Sequence, residues 1–234
     1  MSKPIAVIVG VGDGLSASLA RALAPGYRLV LAARRVEKLA DLRAETGAEA
    51  VGLDASDAKG MAKLFDGLDA APRVAIYNPS ARLRGPLVEL DPEGVREAIE
   101  VTAYGAFLMG QAAARRMLAT EMIDGRRGTI LFTGASAGVK GFPKSAAFAM
   151  GKFAQRGLAE SMARELHPEG IHVAWINIDG GIRNPRRPER IDPAGKPDSM
   201  LDPDAIAAAY LQIIDQDRTA WSNEMTLRPW VERF

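Results

Sequence analysis

Gly10, Gly12 and Gly14 sit in a turn, GVGDGLS, that follows the apolar run Ile5 to Val9 and leads into a helical pattern beginning at Leu15. Glycines there let the backbone approach a pyrophosphate, while the N–H groups from Leu15 onward and the positive end of the helix dipole stabilise its charge. About twenty residues after such a turn an NAD-binding chain usually presents an acid to the adenosine ribose; here the text is LAARRVEKL, with Arg34 and Arg35. A guanidinium at that place can pair with a 2′-phosphate through charge-assisted, bidentate hydrogen bonds, so the expected cofactor is NADP(H) rather than NAD(H). Asp13, an acid within the turn, opposes the same phosphate. Lys152 is a cation on the helical pattern Ser145 to Leu166, among Ala146, Ala147 and Ala149. Aimed at the cofactor edge, it would bond the ribose hydroxyls while partly desolvated.

Groups placed this way need strand ends and helix starts to hold them. Short β-branched runs supply six candidate strands: Ile5 to Val9, Arg28 to Ala32, Ala50 to Asp54, Val74 to Tyr77, Thr129 to Thr133 and His172 to Asn177. Between them, Leu15 to Leu23, Val36 to Thr46, Ala58 to Leu68, Gly94 to Leu118 and Ser145 to Leu166 repeat apolar residues at helical spacing. Connections of that length favour parallel pairing, and strands apolar throughout are buried on both faces. The expectation is an α/β fold, a doubly wound parallel sheet of Rossmann type, formed by one domain over residues 1–234. The segment 179–203, rich in Pro, Gly and charge, follows the sixth strand at the edge where such sheets bind ligands and reads as a substrate lid. Its run RNPRRPER is either an attractor of anions or a solvated face.

Composition narrows the chemistry. The chain has 234 residues and a net charge of +1 with acids and bases interspersed, which offers no basic face to nucleic acid and names no charged partner. Cysteine is absent, which excludes disulfides, thiolate catalysis and cysteine-bound zinc, and two histidines are too few for a metal cluster, so no metal is expected. His167 and His172 read as structural. The apolar run at the N-terminus is too short for a signal peptide core, and no stretch is long enough to span a membrane, so the expected location is the cytoplasm, without membrane partners.

From Ile5 to about Ile182 the sequence resembles the short-chain dehydrogenase/reductase family. GVGDGLS resembles the family's glycine turn, with Gly10 and Gly14 kept and Ser16 replacing the last glycine; in LDASD, the resemblance implies that Asp54 bonds the adenine and Ala55 lines it. YNPSA stands at the family's Asn-Asn-Ala-Gly, matching at Asn78, and in NIDGGI the resemblance implies Gly180 beside the cofactor and Ile182 facing the nicotinamide amide. It also implies dimers or tetramers built on the small-residue helices Ala103 to Leu118 and Ala146 to Met162. The family's relay of serine, tyrosine, lysine and asparagine falls here on Ala135, Phe148, Lys152 and Thr102. A phenyl ring has no proton to give. Replacement donors at the same edge are Ser136, reachable by a modest loop shift or else held in local hydrogen bonds, and Thr133 at the end of strand five. Tyr77, Tyr104 and Ser145 have ordinary packing or capping roles open to them as well.

Two functions remain open. In one, the protein is an NADP(H)-dependent oxidoreductase passing hydride between the nicotinamide and a small carbonyl or alcohol. In the other, it is a non-catalytic NADP(H)-binding sensor or structural subunit that retains the cradle without the relay.

Overall fold

Along β1 (Ile5–Val9) every side chain is buried. They alternate between two cores, Ala6 and Ile8 joining one and Ile5, Val7 and Val9 the other. A strand with helices on both faces has no polar side, which is why IAVIV reads as an unbroken apolar run. The computed structural model describes residues 3–184 and 186–232. Beside β1 lie β2 (Arg28–Ala33), β3 (Glu49–Gly52), β4 (Pro72–Tyr77), β5 (Gly128–Thr133), β6 (Ile171–Ile178) and β7 (Glu224–Leu227), in the order β3-β2-β1-β4-β5-β6-β7 with every pair parallel. The order reverses at β1, so the crevice for a ligand opens at the carboxyl ends of β1 and β4.

The helices are α1 (Leu15–Leu23), α2 (Ala40–Thr46), α3 (Ala58–Asp66), α4 (Pro92–Ile99), α5 (Gly105–Leu118), α6 (Ala146–Leu166) and α7 (Pro203–Asp215). A π-turn over Glu100–Tyr104 joins α4 to α5. One core packs α1, α2 and α7 on the first face of the sheet; the other packs α3, α5 and α6 on the second. Aspartates start several helices: Asp57, Asp91 and Asp202 accept from backbone N–H groups of α3, α4 and α7. At α1 the capping position is Gly14, and no side chain caps the backbone N–H groups of the first turn. The helix that points at the crevice is thus left with its N–H groups for a ligand.

Among the described residues the chain forms one more strand than its apolar pattern suggests and two more helices, since the π-turn divides the pattern Gly94 to Leu118 into α4 and α5 and α7 is added. β7 has only four residues, none fully buried, and extends the sheet beyond β6. α7, an Ala- and Ile-rich helix, begins where the segment 179–203 ends and packs Ile206, Tyr210 and Ile213 into the first core.

Candidate active site

A cavity of about 420 Å³ opens at the carboxyl edge, lined among others by Gly10, Gly14, Asn78, Lys152, Gly180 and Ile182. Gly10 has φ +84°, a conformation that L side chains rarely adopt, and a Cβ there would lie 2.5 Å from Pro79 Cγ. Ser16 donates to the Gly10 carbonyl at 3.1 Å, and Asn78 Nδ2 donates to the Ser16 hydroxyl, which ties the turn to the end of β4. A second cavity of about 540 Å³ continues past Gly12 to Arg34 and Arg35 and is also lined by Arg186 and Arg187. Asp13 does not face this channel alone: Asn184 Nδ2 donates to it at 3.4 Å and the Arg187 guanidinium lies 3.7 Å away. Uncapped helix N–H groups, a glycine turn and exposed guanidinium groups in linked cavities fit a phosphorylated dinucleotide.

Described residues of the segment between β6 and α7 line this cleft. Ile182 pairs with Leu201, and Arg183 lies among Asp192, Asp198 and Asp202 at 3.0, 3.8 and 3.2 Å, so the loop is pinned at its base. Arg183, Asn184, Arg187 and Arg190 line the first cavity beside the glycine turn.

Lys152 is 2 % exposed. Its Nζ donates to the Thr133 carbonyl at 2.6 Å and to Gln155 Oε1 at 3.1 Å. Gln155, completely buried, passes the connection on: its Nε2 donates to the Thr102 carbonyl in the π-turn at 3.2 Å, and Trp175 Nε1 donates to its Oε1 at 3.3 Å. The two helices approach closely here because residue 151 is glycine; a Cβ would sit 2.8 Å from Thr102 Cβ. Burial, and then the positive charge of Arg82, push the Lys152 ammonium down to about 7. Arg82 rests over the Phe148 ring, 4.5 Å from its centroid.

The family model for short-chain dehydrogenases matches residues 4–185. This chain belongs to the short-chain dehydrogenase/reductase family. Among solved structures, a short-chain dehydrogenase from Rhodopseudomonas palustris is 34% identical, with TM-score 0.81 and 97% of this chain and 99% of that one covered. A metagenomic short-chain oxidoreductase in complex with NADP is 26% identical, with TM-score 0.82 and 99% of both chains covered. L-2,3-butanediol dehydrogenase of Corynebacterium glutamicum is 31% identical over 176 residues, 70% of this chain but only 65% of that protein's length. The NADP complex of that metagenomic neighbour supports a nicotinamide nucleotide as the ligand for a cleft of this family. No helix among the described residues is long and apolar enough to cross a membrane.

Against the family's relay, the cleft brings together Ala135, Phe148 and Lys152, while Thr102 joins them through Gln155. Thr133 lines the cleft, but its hydroxyl shares a 2.8 Å hydrogen bond with buried Tyr210 of α7, and it is the carbonyl that meets Lys152. Ser136 lies in the short turn after β5 and faces, with Ser145, an outer cavity of about 930 Å³ rather than the cofactor cleft. Tyr77 is fully buried, its hydroxyl donating to the Val101 carbonyl, and burial raises its pKa far above the usual phenol range. Tyr104 is exposed beside Phe107. Asp54 accepts from the Ser56 backbone and hydroxyl at 2.9 and 2.7 Å, which lowers its pKa; with Ala55 it lies after β3 and lines neither cofactor cavity. His167 and His172 lie at the end of α6 and the start of β6, His172 stacked on Trp221 at 4.7 Å. Two members of the site carry no signal in the chain's motifs: Arg82, in the loop after β4, and Gln155, one helical turn beyond Lys152 on the same face.

Proposed function

We propose that this protein is an NADP(H)-dependent oxidoreductase acting on a small carbonyl compound or its alcohol, with Lys152 as the proton-bearing group in place of the family's tyrosine. Gly10, Gly12, Gly14 and Leu15 hold the pyrophosphate and Arg34 and Arg35 the 2′-phosphate, while Asp54 and Ala55, outside both cavities, take no part in holding the adenine. Asn78, Gly180, Ile182 and Lys152 frame the nicotinamide half. Bound there, the nicotinamide supplies or accepts the hydride.

The observation that carries the reading is the placement of Lys152, buried in the wall of the cleft beside Phe148 with its Nζ 2.6 Å from the Thr133 carbonyl. General acid catalysis works best when the donor's pKa lies near the working pH. An ordinary lysine, near 10.5, holds its proton too tightly; this one is brought to about 7 by its burial and by Arg82. Its ammonium can therefore give a proton to the oxygen of a reacting carbonyl and recover it from solvent near neutrality. Phe148 contributes an apolar wall and a seat for Arg82. Ser136 and Ser145, whose hydroxyls have no bonded partner among the described residues, are left to orient the substrate from the outer cavity. Exposed Phe107 on α5 and Phe153 on α6 support self-association through those helices. We place the protein in the cytoplasm.

One observation favours the second reading, a non-catalytic NADP(H)-binding sensor or structural subunit: among the described residues no tyrosine lines the cleft, and the Thr133 hydroxyl is engaged with Tyr210. Fluorescence titration with NADPH, followed by absorbance assays of its oxidation with ketones, aldehydes and quinones, separates the two. Binding without turnover across the panel supports the sensor. No affinity for NADPH or NADH overturns both.

A further inference from the structure

Arg82, Arg84, Lys144 and Arg190 line the outer cavity, against a single acid, Glu189. Arg82 and Arg190 line the cofactor cleft as well, so they stand where the two spaces meet. Among the described residues, none of the three guanidinium groups has an ion pair or side-chain hydrogen bond. Scarcity of acid is not the reason, since the chain has 29 Asp and Glu against 30 Lys and Arg. Elsewhere it pairs its arginines freely: Arg183 lies among three carboxylates, and Arg96 pairs with Glu93 and Glu100. At this junction the cations are left facing one another. Burial first, then Arg190 and Arg84, lower the pKa of Arg82. The Phe148 face beneath it offers no hydrogen-bond acceptor, so its N–H groups remain for something that enters the cavity.

Arg82 and Arg84 are exposed and Arg190 is half-buried, and all three line one concave space that shares Phe148 and Gly180 with the cleft. We propose that the outer cavity is an oxyanion-recognition site, and that the substrate is a carbonyl compound carrying a carboxylate close to the reacting carbon, held by Arg82 with Arg84 and Arg190. This rests on the oxidoreductase reading above and adds the substrate class. The guanidinium fork matches a carboxylate in two parallel hydrogen bonds, fixing the orientation of a small molecule that has few other handles. The arrangement also couples to Lys152. An anion on Arg82 offsets the positive charge that helps depress the lysine, so arrival of the substrate favours the protonated ammonium needed to reduce it.

The test measures the affinity of the purified full chain for pyruvate and acetoacetate against their methyl esters, by calorimetry with and without NADP⁺, with inorganic phosphate as a competing anion. The acids are expected to bind about 10- to 100-fold more tightly than the esters, the range for a charge-assisted hydrogen bond. Arg82→Gln should erase that preference, and phosphate should compete with pyruvate on the parent protein but not on this variant. Where Arg82→Gln lowers the melting temperature sharply, Arg84→Gln and Arg190→Gln serve instead, each expected to reduce the preference in part. Equal affinity for acids and esters, or a preference that survives Arg82→Gln, overturns the proposal. So does a preference erased by Arg34→Gln with Arg35→Gln, which would place the anion among the nucleotide phosphates. NADPH affinity, measured separately, judges the oxidoreductase reading: its absence would sink that reading, while the acid-to-ester ratio without cofactor still decides this one.

Discussion

If Lys152 is held near 7 in the folded protein, removing its charge must change how stability depends on pH, with no substrate needed to see it. Lys152→Met deletes the titrating group and keeps an unbranched side chain of similar length. In the unfolded chain the lysine titrates near 10.5, in the folded chain near 7. Below the lower value both states carry the proton, and the native protein bears the cost of a buried cation. Between the two values the unfolded chain binds the proton that the native protein has released, so stability rises with pH across that window. Above the upper value both states are neutral and the gain levels off. One pKa unit is worth about 1.4 kcal/mol, so from about pH 7 to about pH 9 the parent should gain up to about 3 kcal/mol over the variant. The measurement is urea denaturation of both proteins at several pH values, taking the difference so that titrations elsewhere cancel. A difference that stays flat, or falls, as pH rises through this range would show that the lysine keeps an ordinary pKa and would remove the basis for Lys152 as proton donor near neutrality.

Three further outcomes can be checked directly. Arg34→Gln with Arg35→Gln should weaken NADPH binding about 10- to 100-fold, leave NADH binding within about twofold, and flatten the salt dependence of NADPH affinity, as read by fluorescence titration. Gly10→Ala forces an L side chain to φ +84° against Pro79 and should cost about 2–5 kcal/mol in chemical denaturation. Gln155→Leu strips Lys152 of an acceptor and leaves the Thr102 carbonyl and Trp175 N–H unpaired, for a loss of about 2–4 kcal/mol by the same assay and an altered pH profile of turnover.

Much of the cradle is legible in the chain because it is local. A glycine turn between an apolar strand and a helix needs only contiguous residues, and Arg34 and Arg35 follow the next strand directly. The parallel pairing of the strands follows from alternating strand and helix for the same reason. β7 escaped because half-buried Met225 and Leu227 give too short a run to outweigh its polar neighbours. α7 lies behind an Asp-Pro start that reads as the end of a loop until its cap is seen. Arg82 and Gln155 are illegible for another reason: nothing in a linear text says that the loop after β4 lays a guanidinium on Phe148, or that a glutamine will bridge a lysine and a carbonyl from another helix. Thr133 shows the converse, a residue at the right strand end whose hydroxyl turns to Tyr210.

The two acceptors around the buried amine set a limit on what can leave it. An ammonium carries three hydrogens, and the Thr133 carbonyl and Gln155 Oε1 engage two of them. Once one hydrogen departs, the amine that remains has the number those acceptors require. Charge can therefore come and go at this nitrogen without any neighbour having to turn, and reorganisation of the surroundings adds little to the barrier for each transfer.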